Sequence, residues 1–561
     1  MPTEQLLHQL ERIAERLGVA DPPPIQLDRP RDPAHGDLAT NLALTLGGRL
    51  GKRPREVAEM IVAQLDLEPA GVASAEIAGP GFINFRLAAA EVQQRLSAIL
   101  AADEAYGRSD RGADRKVMVE FVSANPTGPL HVAHGRGAAL GDAYAALLEW
   151  TGHAVTREFY VNDAGVQVDR LAESLEVRWR ELHGETLPLP EGGYHGQYVR
   201  DLALQLDAEH GERLARMEPA ERLGFLRSCA VGALRAEQDR DLRDFGVRFD
   251  EYSLESDVYA RGQLEETLAE LRERGLAYES EGAVWLRTSD HGDDKDRVLV
   301  KSDGTYTYFL PDIAYHRDKA RRGFDRVINV WGADHHGYAP RMKAALAALD
   351  LHDFLDVEIV QMVRLMRGDE EVKLSKRAGQ IVTLRELMDE VGVDVSRYFF
   401  LMRRGDAQML FDLDLALDHS EKNPVYKVQY AHARMMSIFR KAGVNPEDVR
   451  ADTADLTLLD HPLELELIKQ LVEFPAVVTR AADALAPHIV CDYLETTAGR
   501  VNSWYHAGNP NRNPELAVLA SDPAKRTARL VLARAIRTVL RNGLGLLGLT
   551  APERMQREEV E

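Results

Sequence analysis

A strand–loop–helix pattern within residues 117–143 constrains the fold of this chain more than any other feature. The apolar, β-type run 117–122 is followed by the turn-rich loop 123–130, and a small-residue helical stretch follows at 137–143. In an open α/β sheet, nucleotides bind in the crevice beside such a loop. His131 and His134 stand at the start of the predicted helix, where backbone amides favour anions. The pattern predicts a nucleotide site, although two histidines at this spacing can also simply cap a helix.

The length of 561 residues is too great for one hydrophobic core, so we expect several domains. An N-terminal α+β domain is predicted for 1–110. A Rossmann-like parallel-sheet catalytic domain is predicted for 111–400, with a helical insertion at about 165–275, and a C-terminal helical bundle for 401–561. The predicted fold class is therefore multidomain, α/β plus all-α.

The composition bears on location and partners. No apolar run approaches the ~20 residues of a membrane span, and the N-terminus lacks the basic flank and apolar core of a signal peptide, so we expect a cytoplasmic protein. The net charge of −21 speaks against a nucleic-acid partner for the chain as a whole. Arginines between 526 and 541 could form a local basic face, but on charge alone a solvated helix face explains them better.

A second motif lies far downstream, in the run Lys373-Leu374-Ser375-Lys376-Arg377-Ala378-Gly379. Lysine is a flexible point charge that can follow a moving phosphate group. The run therefore suits a mobile loop that binds phosphates through Lys373, Ser375 and Lys376. A basic, solvated loop is the alternative interpretation.

The two motifs, in this order and on an α/β unit, resemble the HIGH and KMSKS signatures of class I aminoacyl-tRNA synthetases. Within that class the details resemble the arginyl-tRNA synthetase family, and the resemblance covers nearly the whole chain. It also rests on four further stretches: 123–132, 306–316, 429–434, and 539–549 with 552–555. Two positions depart from the family's signatures. Ala133 stands where glycine is usual, which could shift the adenine of ATP, and Leu374 replaces methionine at conserved volume.

The resemblance implies an enzyme that ligates L-arginine to its cognate tRNA through an arginyl-adenylate. It implies ATP with Mg²⁺, no zinc, no membrane partner and a monomer. The implied catalytic residues are His131, His134, Lys373 and Lys376. The implied ATP-binding set consists of these four residues and Ala133, Gly135, Asp334, His335 and Ser375.

The resemblance also implies an arginine-binding set of Asn125, Glu255, Tyr308 and Asp312. Carboxylates suit a guanidinium, which presents planar donors. Two simpler interpretations remain open, because Asp312 could cap a helix after Pro311 and Glu255 could be an exposed acid. A zinc site in the run 334–336, Asp-His-His, is a competing idea.

For tRNA, the resemblance points to Phe82 and Asn84 in the N-terminal domain. In the C-terminal helices the candidates are Tyr426, Tyr430, Trp504, Tyr505 and Met555. Aromatic residues at helical spacing are mostly core, so we expect some of these to be buried. Two other functions are considered: a nucleotidylyltransferase, which would not need the terminal domains, and a non-catalytic tRNA-binding relative, which would have lost the histidines and lysines.

Overall fold

The structure is a computed structural model that describes residues 2–19, 22, 24–28, 30, 32–163, 165–372, 382–520 and 522–555. Its helices are α1 Pro2–Arg16, α2 Leu42–Leu50, α3 Pro54–Val62, α4 Ala89–Ala102, α5 Val132–Trp150, α6 Val166–Leu182, α7 Gln197–Arg216, α8 Pro219–Asp244, α9 Glu255–Ala260, α10 Gln263–Glu273, α11 Phe309–Arg321, α12 Ala339–Ala348, α13 Leu384–Val391, α14 Val393–Leu401, α15 Leu413–Ala416, α16 Pro424–Ala442, α17 Pro462–Val472, α18 Phe474–Asp483, α19 His488–Ala507 and α20 Pro523–Leu546.

The strands are β1 Leu38–Thr40, β2 Val72–Ala78, β3 Phe82–Leu87, β4 Lys116–Glu120, β5 Ala154–Val161, β6 Glu251–Leu254, β7 Ala277–Ser280, β8 Ala283–Leu286, β9 Arg297–Val300, β10 Arg326–Gly332, β11 Leu355–Val360, β12 Val363–Arg367, β13 Glu370–Glu371 and β14 Met409–Asp412. The elements fall into two compact units. The first unit contains residues 1–106, 431–474 and 497–540, and the second contains 107–430, 475–496 and the chain from 541 onward.

The second unit is built on a five-stranded parallel sheet with the order β11-β10-β4-β5-β6. The chain runs from β4 to β5 and β6 on one side, and later returns to place β10 and β11 on the other side of β4. The strand order therefore reverses between β4 and β10, which is where open α/β sheets bind ligands. The Rossmann-like sheet predicted from the sequence is confirmed.

The helical part of the insertion ends earlier than the sequence suggests. Helices α6, α7 and α8 lie between β5 and β6, whereas Glu251–Leu254 is the edge strand of the parallel sheet. A second, antiparallel sheet of β7, β8 and β9 follows. Four residues at a sheet edge are too few for a period-two pattern to stand out from the charged helices on either side.

The first unit contains an antiparallel sheet of β1, β3 and β2 that packs with α1, α2 and α3. The hairpin between β2 and β3 turns at Gly79-Pro80-Gly81. There Gly81 has φ +147°, and a Cβ atom would lie 2.9 Å from Pro54. The buried residues of this core run from Leu6 to Phe85. Across the described part of the chain, no helix is long and apolar enough to cross a membrane.

Candidate functional site

A strained turn follows β4 at the point where the strand order of the parallel sheet reverses. Val122 and Ser123 have φ values of +67° and +41°, a conformation that costs energy for a β-branched residue such as valine. The Ser123 hydroxyl donates to Glu120 Oε1 at 3.2 Å and accepts from the Tyr160 amide at 3.2 Å. These bonds stabilise a turn that ends the strand abruptly and opens the crevice.

A cavity of about 610 Å³ lies at the carboxyl ends of β4 and β10. Its walls are rich in acids and aromatic rings, and the residues that matter here are Glu120, Ser123, Tyr160, Tyr308, Asp312, Trp331, Asp334, His335, Tyr338 and Arg341. The structure thus brings together Tyr308, Asp312, Asp334 and His335, four residues singled out by the sequence. The ring of Trp331 lies beside those of His335 and Tyr338, with centroid separations of 5.9 and 5.8 Å.

Asp312 is a partly buried acid of this cavity. It lies in the first turn of α11, which begins at Phe309, so it is not the N-cap of that helix and the capping interpretation is wrong. Tyr338 Oη donates to Asp312 Oδ2. Burial raises the pKa of Asp312 to about 6, against the lowering effect of the Tyr338 hydrogen bond and with a further rise from Glu120.

Glu255 is the first residue of α9 and is only partly exposed. Burial raises its pKa to about 7, with further contributions from Asp312 and Asp163. The same two acids, Glu255 and Asp312, also raise the pKa of Tyr160, although burial is the larger cause. Asp312 and Glu255 are therefore close enough to repel each other, which disfavours the simple surface role for Glu255.

A buried polar network lies beneath Asp312. Lys319 Nζ, fully buried, donates to Glu120 Oε2 and to Asn329 Oδ1, the latter at 3.2 Å. Asn329 Nδ2 lies 2.8 Å from His316 Nε2, and His316 Nδ1 lies 2.8 Å from the Asp312 carbonyl oxygen. Burial, followed by the charge of Lys319, lowers the pKa of His316 to about 3. The ring is therefore neutral, accepts from Asn329 and donates to the backbone of Asp312.

The histidine pair begins α5, with His131 as the N-cap. Each ring accepts the backbone N–H of the other residue on Nδ1 at 3.4 Å, and the rings stack with centroids 3.6 Å apart. Burial lowers the pKa of both imidazoles, and that of His134 falls to about 3. Because Nδ1 is an acceptor in each neutral ring, each Nε2 carries the proton and can donate it to a ligand.

The histidines line a second cavity of about 650 Å³, together with Asn125, Thr127 and Tyr198. Ser123 lines the first cavity and Asn125 the second, so the two cavities adjoin across this short loop. Asn125 Nδ2 donates to Gln167 Oε1 at 2.6 Å. The predicted arginine-binding residue Asn125 thus lies on the histidine side of the boundary.

Gly135 and Ala133 differ in their surroundings. A Cβ atom on Gly135 would lie 2.6 Å from Leu384 Cδ1, so this glycine is required by the packing of α5 against α13. Ala133 is partly exposed. Lys373, Ser375 and Lys376 lie outside the described residues. The segment that follows them contacts the histidine region, because Leu384 N donates to Leu130 O and Val132 N donates to Val382 O.

The tRNA candidates divide by burial. Tyr426 and Trp504 are buried, at 7% and 3% exposed, which fits core packing better than base stacking. Tyr430, Tyr505 and Met555 are partly exposed. In β3, Phe82 is 42% exposed, whereas Asn84 is 9% exposed.

No sequence pattern marks several residues of the site. Tyr338, Glu120, Lys319 and Asn329 come from separate elements, and only the fold brings them to Asp312. Among the described residues, no group of three or more His, Cys, Asp or Glu side chains is arranged to hold a metal ion.

Comparisons with known proteins agree with this architecture. Residues 95–400 match the family of class I (R) tRNA synthetase catalytic domains, 428–555 the DALR anticodon-binding domain, and 4–87 the arginyl-tRNA synthetase N-terminal domain. An arginine–tRNA ligase of Geobacillus kaustophilus is 49% identical, over 98% of this chain and 99% of that protein.

Two solved structures are also similar. One is described as a putative arginyl-tRNA synthetase from Campylobacter jejuni, with a TM-score of 0.76 and 32% identity over 84% of this chain and 100% of that chain. The other is the Thermus thermophilus arginyl-tRNA synthetase, with a TM-score of 0.73 and 25% identity over 98% of this chain and 100% of that chain.

Proposed function

The chain belongs to the arginyl-tRNA synthetase family, and we propose on that premise that it ligates L-arginine to its cognate tRNA with ATP, through an arginyl-adenylate. The reaction serves protein synthesis and releases AMP and pyrophosphate. The observation that carries the assignment of substrate is the pair of partly buried carboxyl groups, Asp312 and Glu255, whose pKa values are raised to about 6 and about 7.

The two carboxyl groups suit a guanidinium. Burial raises the pKa of both groups, and a neighbouring acid raises each further, Glu120 for Asp312 and Asp312 for Glu255. A bound cation compensates this cost and makes strong, charge-assisted hydrogen bonds. A guanidinium offers planar donors that match carboxylate oxygens better than the ammonium group of lysine does. Tyr308, 67% exposed at the edge of the cavity, accepts from Arg341 Nη1 at 3.2 Å and would cover the substrate side chain.

The histidine cavity would bind the phosphates of ATP. His131 and His134 present Nε2 donors, and α5 directs its N-terminus to the same place. From the family resemblance we assign pyrophosphate binding to Lys373, Ser375 and Lys376. Asp334 and His335 would contact the ribose, while Ala133 and Gly135 would adjoin the base. Mg²⁺ would enter with ATP as part of the substrate.

The chemistry requires positioning and charge stabilisation rather than a nucleophile on the enzyme. A carboxylate oxygen of arginine attacks the α-phosphorus of ATP, and the bond to pyrophosphate breaks. A ribose hydroxyl of the terminal tRNA adenosine then attacks the arginyl carbonyl carbon, and AMP leaves. His131 and His134 would donate to phosphate oxygens as negative charge develops, and Asn125 would bind the amino or carboxylate end of arginine.

For tRNA, the partly exposed Tyr430, Tyr505 and Met555 remain candidates for stacking or contacting unpaired bases, and Phe82 with Asn84 for the N-terminal domain. Tyr426 and Trp504 are reassigned to core packing. We further propose that the enzyme is a monomer that works in the cytoplasm, where tRNA is charged for translation. Light scattering after size exclusion tests the monomer.

The activity is tested by ATP–pyrophosphate exchange with each of arginine, lysine and glutamine, with and without tRNA. We expect exchange with arginine alone among the three, and only when tRNA is present, as is characteristic of the family. Exchange driven by lysine or glutamine but not by arginine would refute the assignment.

The arginine pocket is tested by Asp312→Ala. Loss of one partner of a buried charge pair costs ~2 kcal/mol or more, so the arginine KM should rise ~30-fold or more while the ATP KM changes little. Asp318→Ala is the matched control, because Asp318 lies six residues further along α11 and accepts from Gln263 instead. Equal changes in the two KM values of Asp312→Ala would remove Asp312 from the pocket.

A further inference from the structure

Three backbone carbonyls of the turn of residues 125–128, which precedes the histidines, accept hydrogen bonds from side chains of the helical insertion. Gln238 Nε2 donates to Asn125 O at 3.1 Å and to Gly128 O at 2.8 Å. Tyr198 Oη donates to Thr127 O at 2.7 Å. The turn has one internal bond among these residues, from Thr127 N to Asn125 O at 2.8 Å. Its outward-facing carbonyls are therefore satisfied by α7 and α8.

The fit between this turn and the insertion is close. Gln238 is 3% exposed and lies six residues before the end of α8, a helix whose other face carries many charges. A Cβ atom on Gly128 would lie 3.3 Å from the Tyr198 hydroxyl, so the turn approaches α7 as closely as a glycine allows. Loss of the donor to a buried carbonyl raises the free energy of the folded state, because the carbonyl is then desolvated without a hydrogen bond. These bonds therefore restrict the turn to one position.

The same face of α8 also contacts the segment after the lysine motif. Asp241, one turn beyond Gln238, accepts from Arg385 Nε at 3.0 Å and Nη2 at 2.7 Å, and Asp244 accepts from Arg385 Nη2 at 2.6 Å. Arg385 lies in the first turn of α13, next to Leu384, whose amide donates to Leu130 O. One helix of the insertion thus touches both segments that border the histidines.

We propose that Gln238 is a positioning residue for arginine activation and that Tyr198 supports it in this role. It fixes the 125–128 turn, and through it the placement of Asn125 and His131 relative to each other. The inference rests on the proposed function for its kinetic readout. A misplacement of about 1 Å in such a site costs up to about a hundredfold in rate, so the effect falls on kcat.

The test compares Gln238→Glu, which keeps the shape but replaces the donor with an acceptor, with Gln238→Leu and Tyr198→Phe. Arginine-dependent pyrophosphate exchange is measured with tRNA, and kcat is expressed per active site after titration of adenylate-forming sites. We expect Gln238→Glu and Gln238→Leu to lower kcat by about tenfold or more, with KM values changing by less than about threefold. Tyr198→Phe should lower kcat by a smaller factor.

The matched control is Gln205→Leu, because Gln205 is an exposed glutamine of the insertion that donates only to Glu209 on its own helix among the bonds of the described residues. It should leave kcat and KM unchanged. Hydrogen–deuterium exchange of residues 122–135, measured without substrates, provides a readout that does not depend on the reaction. Exchange should rise in this segment alone for the Gln238 variants.

The proposal is overturned if the Gln238 variants keep kcat per active site and unchanged exchange in residues 122–135. It is also overturned if the loss of total activity equals the loss of titratable active sites and hydrogen–deuterium exchange rises throughout the chain. Gln238 would then have only a structural role. If the wild-type enzyme shows no arginine-dependent exchange, the proposed function fails, and the hydrogen–deuterium comparison alone decides whether Gln238 orders the turn.

Discussion

With Asp312 and Glu255 as the proposed ligands of the guanidinium, we predict that arginine binding depends on pH. Their raised pKa values, about 6 and about 7, mean that the neutral forms persist to higher pH than usual. A guanidinium binds the ionised forms, so arginine affinity should be full above the higher pKa and fall as pH drops through both. Between pH 8 and pH 5.5 the two ionisations together predict a loss of about a hundredfold.

Calorimetric titration of arginine into the enzyme across this pH range measures the change in affinity. Proton release on binding appears as a dependence of the measured binding enthalpy on the ionisation enthalpy of the buffer. Glu255→Gln should bind arginine more weakly and lose most of the pH dependence, because the group with the higher pKa is gone. Asp318→Asn should keep the full dependence. A wild-type affinity that is constant from pH 8 to 5.5 would contradict the raised pKa values.

Single residues of the site could be predicted from the sequence only where a local pattern marked them. Asp312 follows Tyr308 in a stretch that resembles the family, and the structure places both at one cavity. Tyr338 and Lys319 had no such mark, because their importance comes from contacts with Asp312 and Glu120 that the tertiary fold creates. Trp504 was open to either interpretation until its burial was known.

At the scale of elements, the two nitrogen atoms of an imidazole at the N-terminus of α5 have different roles. Nδ1 accepts a backbone hydrogen bond that caps the helix, and Nε2 is the proposed donor to the substrate. His134 Nδ1 accepts the His131 amide, and its Nε2–H is left to donate. Asparagine can imitate the Nδ1 acceptor, and glutamine the Nε2 donor. His134→Asn should therefore keep the thermal midpoint but lower kcat by ~100-fold or more, as when a donor to a developing charge is removed.

His134→Gln should also keep the thermal midpoint, because glutamine at this position closes a capping box, and its amide donor should give a smaller loss of kcat. Thermal unfolding of the two variants measures the capping role of His134, and pyrophosphate exchange measures its proposed role in the reaction. Two variants with equal kcat would show that the Nε2 donor does not serve the reaction. Because burial lowers the pKa of His134 to about 3, the wild-type ring is neutral from pH 6 to pH 8, so the ratio of wild-type kcat to variant kcat should be the same across this range.

The element that the sequence predicts best is this strand–loop–helix unit, because an apolar run, a turn-rich loop and a small-residue helix follow one another without interruption. Strand β6 escaped prediction, since four residues between charged helices show no clear alternation. The role of α8 also escaped it. Gln238 and Asp241 look like ordinary polar residues of a charged helix until the 125–128 turn and Arg385 are placed beside them.

At the scale of the whole molecule, the N-terminal region contains two parts with different partners. The buried apolar residues from Leu6 to Phe85 pack with one another, and an ion pair of Asp37 with Lys469 Nζ at 2.6 Å joins this part to α17. Helix α4 packs on α17 of the same unit, where Gln93 Nε2 donates to Leu459 O at 3.0 Å, and Tyr106 Oη donates to the carbonyl oxygens of residues 471 and 472 at 3.3 Å. We therefore predict that the boundary that matters for stability lies before α4, whereas the sequence pattern predicts a domain boundary at residue 110.

Two truncations test this boundary. Removal of residues 1–87 deletes the core from Leu6 to Phe85 as a whole, so the remaining chain should unfold cooperatively at a midpoint within a few degrees of the full-length enzyme and still bind arginine, while tRNA affinity falls. Removal of residues 1–106 also deletes α4, whose buried Val92, Leu96 and Ile99 contribute ~5–9 kcal/mol, comparable to the stability of a domain. That chain should aggregate or lose its cooperative transition. Calorimetry and circular dichroism compare the two, and equal behaviour of both truncations would show that α4 does not stabilise the helices around α17.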